Sequence, residues 1–549
     1  MISSLFLCLT IGTLRASAGP LVGRAAPTVT MDGAIFTGKT SGTNTKFLGI
    51  PFAQPPVGDL RYRLPVPITY NNGTMFDATT FGPTCSQQAI KLPPAIIDGL
   101  PADAADFLIN SLFAQVFPDA EDCLTVNVVT PAGSKPTDKL PVVVWIFGGG
   151  FEIGASSLYD GGLIVDRSQA LSQPVIYVSM NYRLTGFGFL GGKEVKSAGV
   201  GNLGLQDQRQ ALRWIQKYIS QFGGDPTKVT IWGESAGAIS ASLHMLANGG
   251  NTEGLFRGAF MESGAPIPVG DITNGQKYYD ALVKDTECSN AADTLQCLRT
   301  APYATLKAAI GNSPGLLDYQ SLNLAWLPRP DGVFLTDNPQ KLVAAGKVAA
   351  IPYVTGNCDD EGTLFSLANV NVTTDAQFKT YIQDTFLPGI TDAQTAQIAT
   401  LYPSDVTQGS PFDTGFLNAL TPQFKRLAAL QGDIFFHAPR RWLLQYTTST
   451  QNVWVFLSKR FKPLPIFGSV HTSDILNVYA GGEMRDHLIR FANNLNPNPL
   501  TGYQWPQYTL ATRNIATYSD GLVPVVTGND TYRTEAIDYL NQVTLANPE

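Results

Sequence analysis

A serine stands between two glycines in the stretch Val229-Thr230-Ile231-Trp232-Gly233-Glu234-Ser235-Ala236-Gly237. A β-branched and aromatic run ends at Gly233, and apolar residues at helical spacing follow at Ala238, Ala241, Leu243 and Leu246. Strand, tight turn and helix in that order place Ser235 at the tip of a G-x-S-x-G elbow. The serine backbone is strained in such a turn. A Cβ at either flanking glycine would clash with the neighbouring strand or helix. The turn lifts Oγ above the sheet edge and aims free helix N–H groups at whatever Oγ attacks. The chemistry this suits is nucleophilic catalysis.

A serine hydroxyl is a weak nucleophile at neutral pH. It needs a base in contact, and the base needs an acid to hold its tautomer. The chain has only four histidines, His244, His437, His471 and His487. His244 lies on the helix predicted after Ser235, more than two turns along, and cannot reach back. His437 and His487 fall in helical patterns and read as packed residues. His471 follows Ile466-Phe467-Gly468-Ser469-Val470 in a loop soon after a strand, where catalytic groups of α/β proteins sit. It is the candidate base. The acid should lie between Ser and His in chain order. Asp359-Asp360-Glu361-Gly362 lies there, and adjacency leaves all three carboxylates open. The two that are not the acid would read as a solvated turn or a helix N-cap.

Fixed donors for a developing oxyanion form the third requirement. Phe147-Gly148-Gly149-Gly150-Phe151 directly follows a buried apolar run. Without Cβ atoms its N–H groups can close on a substrate oxygen. A phosphate cradle would need Lys and Ser or Thr at P-loop spacing, and none follows.

These groups need a scaffold of strands with helices between. Val142 to Phe147 and Val175 to Ser179 are continuous apolar runs, as buried parallel strands require. Gln206 to Tyr218 has helical spacing. Further strands are predicted at Val229, near Arg257–Gly264, at Ile351–Gly356 and at Trp454–Leu457. Alternating strands and helices mean an α/β architecture with a large, mostly parallel sheet. Residues 26 to 80 read as β-rich. Residues 270 to 345 read as mainly helical and loop-like, and 373 to 447 as a helix-rich insertion. Between Cys85 and Cys123 a helix is predicted over Ala102 to Val116, with Phe107, Leu108, Leu112, Phe113 and Val116 on its apolar side. No interdomain linker is evident, so residues 26–549 read as one catalytic domain.

The chain has 549 residues, 44% hydrophobic and 15% charged, with a formal net charge of −7. This is a well-cored composition, and its charge argues against a nucleic-acid partner. Leu5 to Leu14 is apolar but too short to span a bilayer, and Ala16-Ser17-Ala18 follows it. Residues 1–18 therefore read as a secretory signal, with room for a short pro-segment to about residue 25. No later run of about 18 apolar residues suggests a transmembrane segment. Cys8 leaves with the signal. In an oxidising compartment the other five make two local disulfides and one free thiol, Cys358. No cysteine or histidine spacing indicates a metal site. Sequons begin at Asn72, Asn371 and Asn529, as surface glycosylation of a secreted protein would use.

Phe222-Gly223-Gly224-Asp225, leading to Gly233-Glu234-Ser235-Ala236-Gly237, resembles the serine-site signature of type-B carboxylesterases and lipases. Glu121-Asp122-Cys123-Leu124-Thr125-Val126-Asn127 resembles their second signature. The likeness runs from about Ala26 onward and is nearest the fungal Candida rugosa/Geotrichum lipase group. It is carried also by Phe47 to Ala53, Trp145 to Phe151, Leu327 to Gly332 and Gln408 to Gly415. The resemblance implies an α/β-hydrolase fold with Ser235 as nucleophile, Glu361 as acid and His471 as base. It implies Gly149, Gly150 and Ala236 as oxyanion-hole donors. It implies disulfides Cys85–Cys123 and Cys288–Cys297, the first anchoring a lid within 85–123. The sequence departs from the lipases at Gly468-Ser469-Val470 before the histidine and at Leu364-Phe365 after the acid, positions that line an acyl pocket.

The expectation is a secreted serine ester hydrolase of lipase or sterol-esterase type, without cofactor or metal. It would cleave esters with apolar acyl chains and meet the lipid–water interface through its lid, as a monomer or weak homodimer. The narrower alternative is a feruloyl or small-acyl carboxylesterase on the same fold. The remote one is an inactive cholinesterase-like binding protein.

Overall fold

The computed structural model describes residues 25–90, 100–105 and 118–548. The signal segment, residues 1–18, lies outside them. Of the helix expected over 102–116, only 102–105 falls inside, and those four residues are helical.

Eleven strands form one sheet: β1 (Lys39–Ser41), β2 (Asn44–Pro51), β3 (Thr125–Pro131), β4 (Leu140–Ile146), β5 (Ile176–Met180), β6 (Gly224–Glu234), β7 (Gly258–Glu262), β8 (Tyr353–Cys358), β9 (Val453–Lys459), β10 (Asn514–Ser519) and β11 (Val525–Asn529). Their order across the sheet is β11-β10-β9-β8-β7-β6-β4-β5-β3-β2-β1. The seven strands from β5 to β10 run parallel. The borders are antiparallel, at β10–β11 on one side and at β5–β3, β3–β2 and β2–β1 on the other.

The continuous apolar runs are the strands buried on both faces. Val142, Val143, Val144, Trp145 and Ile146 are all fully buried. Each such side chain stabilises the fold by about 1.5–3 kcal/mol relative to its exposed state. Trp145 and Trp232, on adjacent strands β4 and β6, meet with ring centroids 4.2 Å apart. The helices Leu203–Tyr218 and Ala236–Gly250 flank β6 in sequence and bury most of their length against the sheet.

The first region is helical and loop-like as expected, with no helix among the described residues between Gly311 and Pro339, and the second is helix-rich. Helices span Gln276–Asp285, Thr294–Thr300, Tyr303–Gly311 and Pro339–Ala344 in the first. Asp375–Tyr381, Asp392–Leu401, Phe424–Gly432 and Ala438–Thr447 make up the second. Disulfides join Cys85 to Cys123 and Cys288 to Cys297, and Cys358 is free and buried. Thr84–Cys85 pairs with Asp119–Ala120 in a two-stranded ribbon beside the first disulfide.

Buried ion pairs tie loops to this frame. Arg61 holds Glu121, Arg183 holds Asp207, and Asp530 lies between Arg440 and Arg441. Among the described residues, no helix is long and apolar enough to cross a membrane.

Candidate active site

Ser235 follows β6 directly, with φ 55° and ψ −127°, and the helix Ala236–Gly250 begins at the next residue. Its N–H donates to the Glu262 carbonyl on β7, and its own carbonyl accepts from Ile239. Gly237 explains the second glycine of the motif. A Cβ there would lie 1.9 Å from the Ile146 carbonyl oxygen at the end of β4. Only a residue without a side chain lets the helix start this close to the sheet.

The loops after β8 and β9 meet over this serine. His471 Nε2 lies 2.8 Å from Ser235 Oγ, and His471 Nδ1 lies 2.5 Å from Glu361 Oε2. The other Glu361 oxygen, Oε1, accepts the Cys358 N–H at 2.8 Å. Glu361 and His471 are almost fully buried. Phe365 and Phe436 pack on the imidazole, with centroids 5.1 and 4.6 Å from it. A hydroxyl, an imidazole and a buried carboxylate in one hydrogen-bonded line can move a proton off the hydroxyl as it attacks.

The other three histidines lie elsewhere. His244 Nε2 is 2.9 Å from Gln208 Oε1 inside the helical layer. His437 pairs with the Tyr532 hydroxyl and His487 with that of Tyr518. Burial pushes the imidazoles of all three below the ordinary histidine range.

The structure corrects the expectation for Asp359 and Asp360. Neither is a solvated turn residue or a helix cap. They are 3% and 0% exposed, and Lys462 Nζ reaches both, at 2.5 and 2.7 Å. The base loop folds over them, a long-range arrangement with no local sequence signature.

Sequence reasoning also missed three buried carboxylic acids around the triad. Glu234 precedes Ser235, and its Oε1 lies 3.4 Å from His471 Nε2. Asp474 follows His471 by three residues, and its Oδ2 lies 3.4 Å from Ser263 Oγ. Glu262 accepts the Trp232 indole N–H at 2.5 Å. Burial, with repulsion from Asp474, Glu361 and Glu262, pushes the Glu234 carboxyl well above the usual carboxylate range. Burial and then repulsion from Asp474 do the same to Glu262. Burial and the nearby Glu361 raise Asp474 to about 7. The only sequence signal was proximity to the nucleophile or the base.

Gly149, Gly150 and Ala236 line the same cavity as Ser235 and His471. Among the described residues, no protein acceptor takes their backbone N–H groups. Three backbone N–H groups without a protein acceptor among the described residues therefore belong to the lining of the cavity that holds Ser235. The cavity measures about 1250 Å³. Leu316, Leu322, Leu324, Leu327, Phe365 and Phe435 form apolar walls. Gln87, Gln88, Asp119 and Lys307 make a polar end. The side chains of Asn72, Asn371 and Asn529 are all on residues exposed to solvent.

The sequence matches the model of the carboxylesterase family over residues 25–535. The chain belongs to the carboxylesterase family. It is a carboxylic ester hydrolase. Among curated relatives of this carboxylesterase, Lipase 4 of Diutina rugosa is 45% identical over 541 residues, covering 94% of this chain and 96% of that one. The Secreted triacylglycerol lipase LIP1 of Gibberella zeae is 42% identical over 516 residues, covering 90% and 87%. Lipase 1 of Geotrichum candidum is 40% identical over 511 residues, covering 88% and 90%. Among solved structures, Aspergillus niger EstA superposes with a TM-score of 0.81 at 27% identity, covering 95% of this carboxylesterase and 99% of that chain. A PNB esterase superposes at 0.73 with 28% identity, covering 93% and 99%. The α/β-hydrolase fold expected from the sequence is the fold found.

Proposed function

We propose that this carboxylesterase is a secreted lipase that cleaves acylglycerols of apolar fatty acids through an acyl-enzyme. Ser235 Oγ attacks the ester carbonyl carbon while His471 takes the hydroxyl proton. Glu361 holds the imidazole and stabilises its charged form. The N–H groups of Gly149, Gly150 and Ala236 hold the tetrahedral oxyanion. The proton passes to the leaving alcohol, and water, deprotonated in turn by His471, releases the acid.

One observation carries the reading: the Ser235–His471–Glu361 hydrogen-bond line opens into a cavity of about 1250 Å³ with long apolar walls. That exceeds the roughly 300–1,000 Å³ of ordinary small-molecule pockets and favours long acyl chains over the feruloyl or small-acyl alternative. Likeness to the Gibberella zeae secreted triacylglycerol lipase supports the same substrate and location. So do two disulfides and three exposed sequon asparagines.

Residues 26–549 act as one catalytic unit in this reading, as a monomer or weak homodimer. The loop closed by Cys85–Cys123 serves as the lid toward a lipid surface. Its described ends, Gln87 to Ile90 and Pro118–Asp119, line the cavity.

The test pairs two measurements. Ser235→Ala should abolish turnover and labelling by an organophosphate. The wild type should hydrolyse emulsified long-chain triacylglycerols and p-nitrophenyl palmitate at least as well as p-nitrophenyl acetate. Turnover surviving in Ser235→Ala refutes the mechanism. Activity confined to acetyl and other short esters refutes the substrate class. Hydrolysis of cholesteryl oleate would extend that class to sterol esters.

A further inference from the structure

The acid loop and the base loop are joined at a residue that touches neither substrate nor imidazole. Asp360 Oδ2 accepts the Ser469 N–H at 2.8 Å and Lys462 Nζ at 2.7 Å. Its Oδ1 accepts the Ser410 hydroxyl at 3.0 Å and the Phe412 N–H at 2.8 Å. The Asp360 N–H donates back to the Ser469 carbonyl at 3.1 Å, and Asp360 forms a β-bridge with Val470. Thr363 Oγ1 adds a further tie, donating to the Phe467 carbonyl at 2.8 Å. Asp360 thus precedes Glu361 by one residue, and its partners precede His471 by one and two. The side chain is fully buried, and four donors saturate its two oxygens.

We propose that Asp360 is a positioning residue, which locks the loop carrying His471 to the loop carrying Glu361 and so fixes the contact between those two side chains. This rests on the triad reading above. An interatomic distance of 2.5 Å between Nδ1 and Oε2 tolerates little drift, and misplacement by about 1 Å can cost on the order of 100-fold in rate. Among the described residues, Asp360 ties the backbone just before His471 to the loop of Glu361 through its Oδ2 and its own N–H, and its Oδ1 holds Ser410 and Phe412. The backbone of each leaves the sheet at a different strand, β8 and β9, and the chain between them runs through a long helical insertion. Charged groups facing Asp360 are Asp359 on its own loop, Lys462 on the base loop and, at longer range, Lys425 on the helix Phe424–Gly432. Burial and Asp359 push the Asp360 carboxyl up, and Lys462 pulls it down. The lysine therefore belongs to the clamp.

Two variants test this with a water-soluble p-nitrophenyl ester. Asp360→Asn turns one acceptor oxygen into an amide that faces two donors. Lys462→Met leaves the aspartate with three donors and serves if the first variant does not fold. In both, kcat should fall about 10- to 100-fold, with KM within about twofold. The acid limb of the kcat/KM profile should move to lower pH in both, because a displaced Glu361 stabilises the imidazolium less.

A charge effect through space predicts opposite shifts, lower for the lost carboxylate and higher for the lost ammonium. Opposite shifts would overturn the proposal. So would wild-type kcat and pH profile in either folded variant. In a Glu361→Gln background, Asp360→Asn should cost nothing further, and an additive loss would equally overturn it. If Ser235→Ala remains active the triad reading itself has failed. If that variant is dead and the clamp variants are normal, only this inference has.

Discussion

Gly149 accepts the Ile153 N–H at 3.0 Å, and a Cβ built on Gly149 would lie 2.3 Å from the Ile153 carbonyl oxygen. The tight turn after β4 therefore closes only on glycine at this position, where φ is +101°. Gly149→Ala should open the turn and misdirect the N–H groups beside Ser235. We expect kcat to fall about 100- to 1000-fold with unchanged far-UV circular dichroism. Gly150→Ala is also strained, at φ +63°, but should lose less, because that φ lies in the left-handed region an alanine can enter and its added Cβ would meet only side-chain ends of Leu316 and Leu324, at 3.2 and 3.4 Å. Equal losses in the two variants would refute this account of the donors.

Leu324 lines the apolar wall of the cavity. Leu324→Trp should shorten the space open to an acyl chain. The ratio of p-nitrophenyl palmitate to p-nitrophenyl butyrate hydrolysis should fall about tenfold or more. An unchanged ratio would mean that the acyl chain runs elsewhere.

Glu152 follows Phe151 and is fully buried, with Oε2 accepting the Leu316 N–H at 2.8 Å and Oε1 unpartnered. Burial pushes its carboxyl up from 4.5 to about 8. Between those values the folded protein holds a proton that the unfolded chain releases. Stability is therefore lost as pH rises through that range. Glu152→Gln removes the titration and keeps an acceptor for Leu316. Its melting temperature, taken at a fixed scan rate, should gain on the wild type steadily from pH 5 to pH 8. A constant difference across that range would contradict the assignment.

Asp530 accepts two hydrogen bonds from Arg440, at 2.9 and 2.9 Å, and two from Arg441, at 3.0 and 2.8 Å. Burial alone would push this carboxyl up, but the two guanidinium groups override it and hold it at about 2. A depressed folded value means stability present above the unfolded value of 3.8. That stability is lost as pH falls from about 4 to 2, roughly 2 kcal/mol in all. Asp530→Asn leaves two buried cations short of a counter-charge and should destabilise by about 3–5 kcal/mol at pH 7. Its urea midpoint should also depend less on pH below 4 than that of the wild type.

Ser235 was legible because its turn imposes two glycines within five positions, a purely local demand. The contact of His471 with Ser235 could be anticipated by elimination among four histidines, each placed by its own neighbourhood. The β4 and β5 strands were legible because burial on both faces needs an unbroken apolar run. The border strands β10 and β11 were not, since Asn514-Ile515-Ala516-Thr517-Tyr518-Ser519 mixes polar residues and Gly528 interrupts its partner. Their pairing with β9 and with each other makes them strands. Glu361 could not be told from Asp359 and Asp360 by spacing, and the resemblance made that choice. What separates them in space is contact with Lys462, Ser410 and Ser469, which come from other loops. The local sequence of Asp359-Asp360-Glu361 holds no trace of those partners.

The serine, carboxylate and imidazole leave the sheet from β6, β8 and β9, and serine and histidine are 236 positions apart in the chain. Translation therefore delivers the nucleophile long before the groups that arm it. In the proposed mechanism a polypeptide made only through Glu361 lacks the base that Ser235 needs. That base comes only with the segment bearing His471, 110 positions after Glu361, so a chain ended between the two should show no esterase turnover.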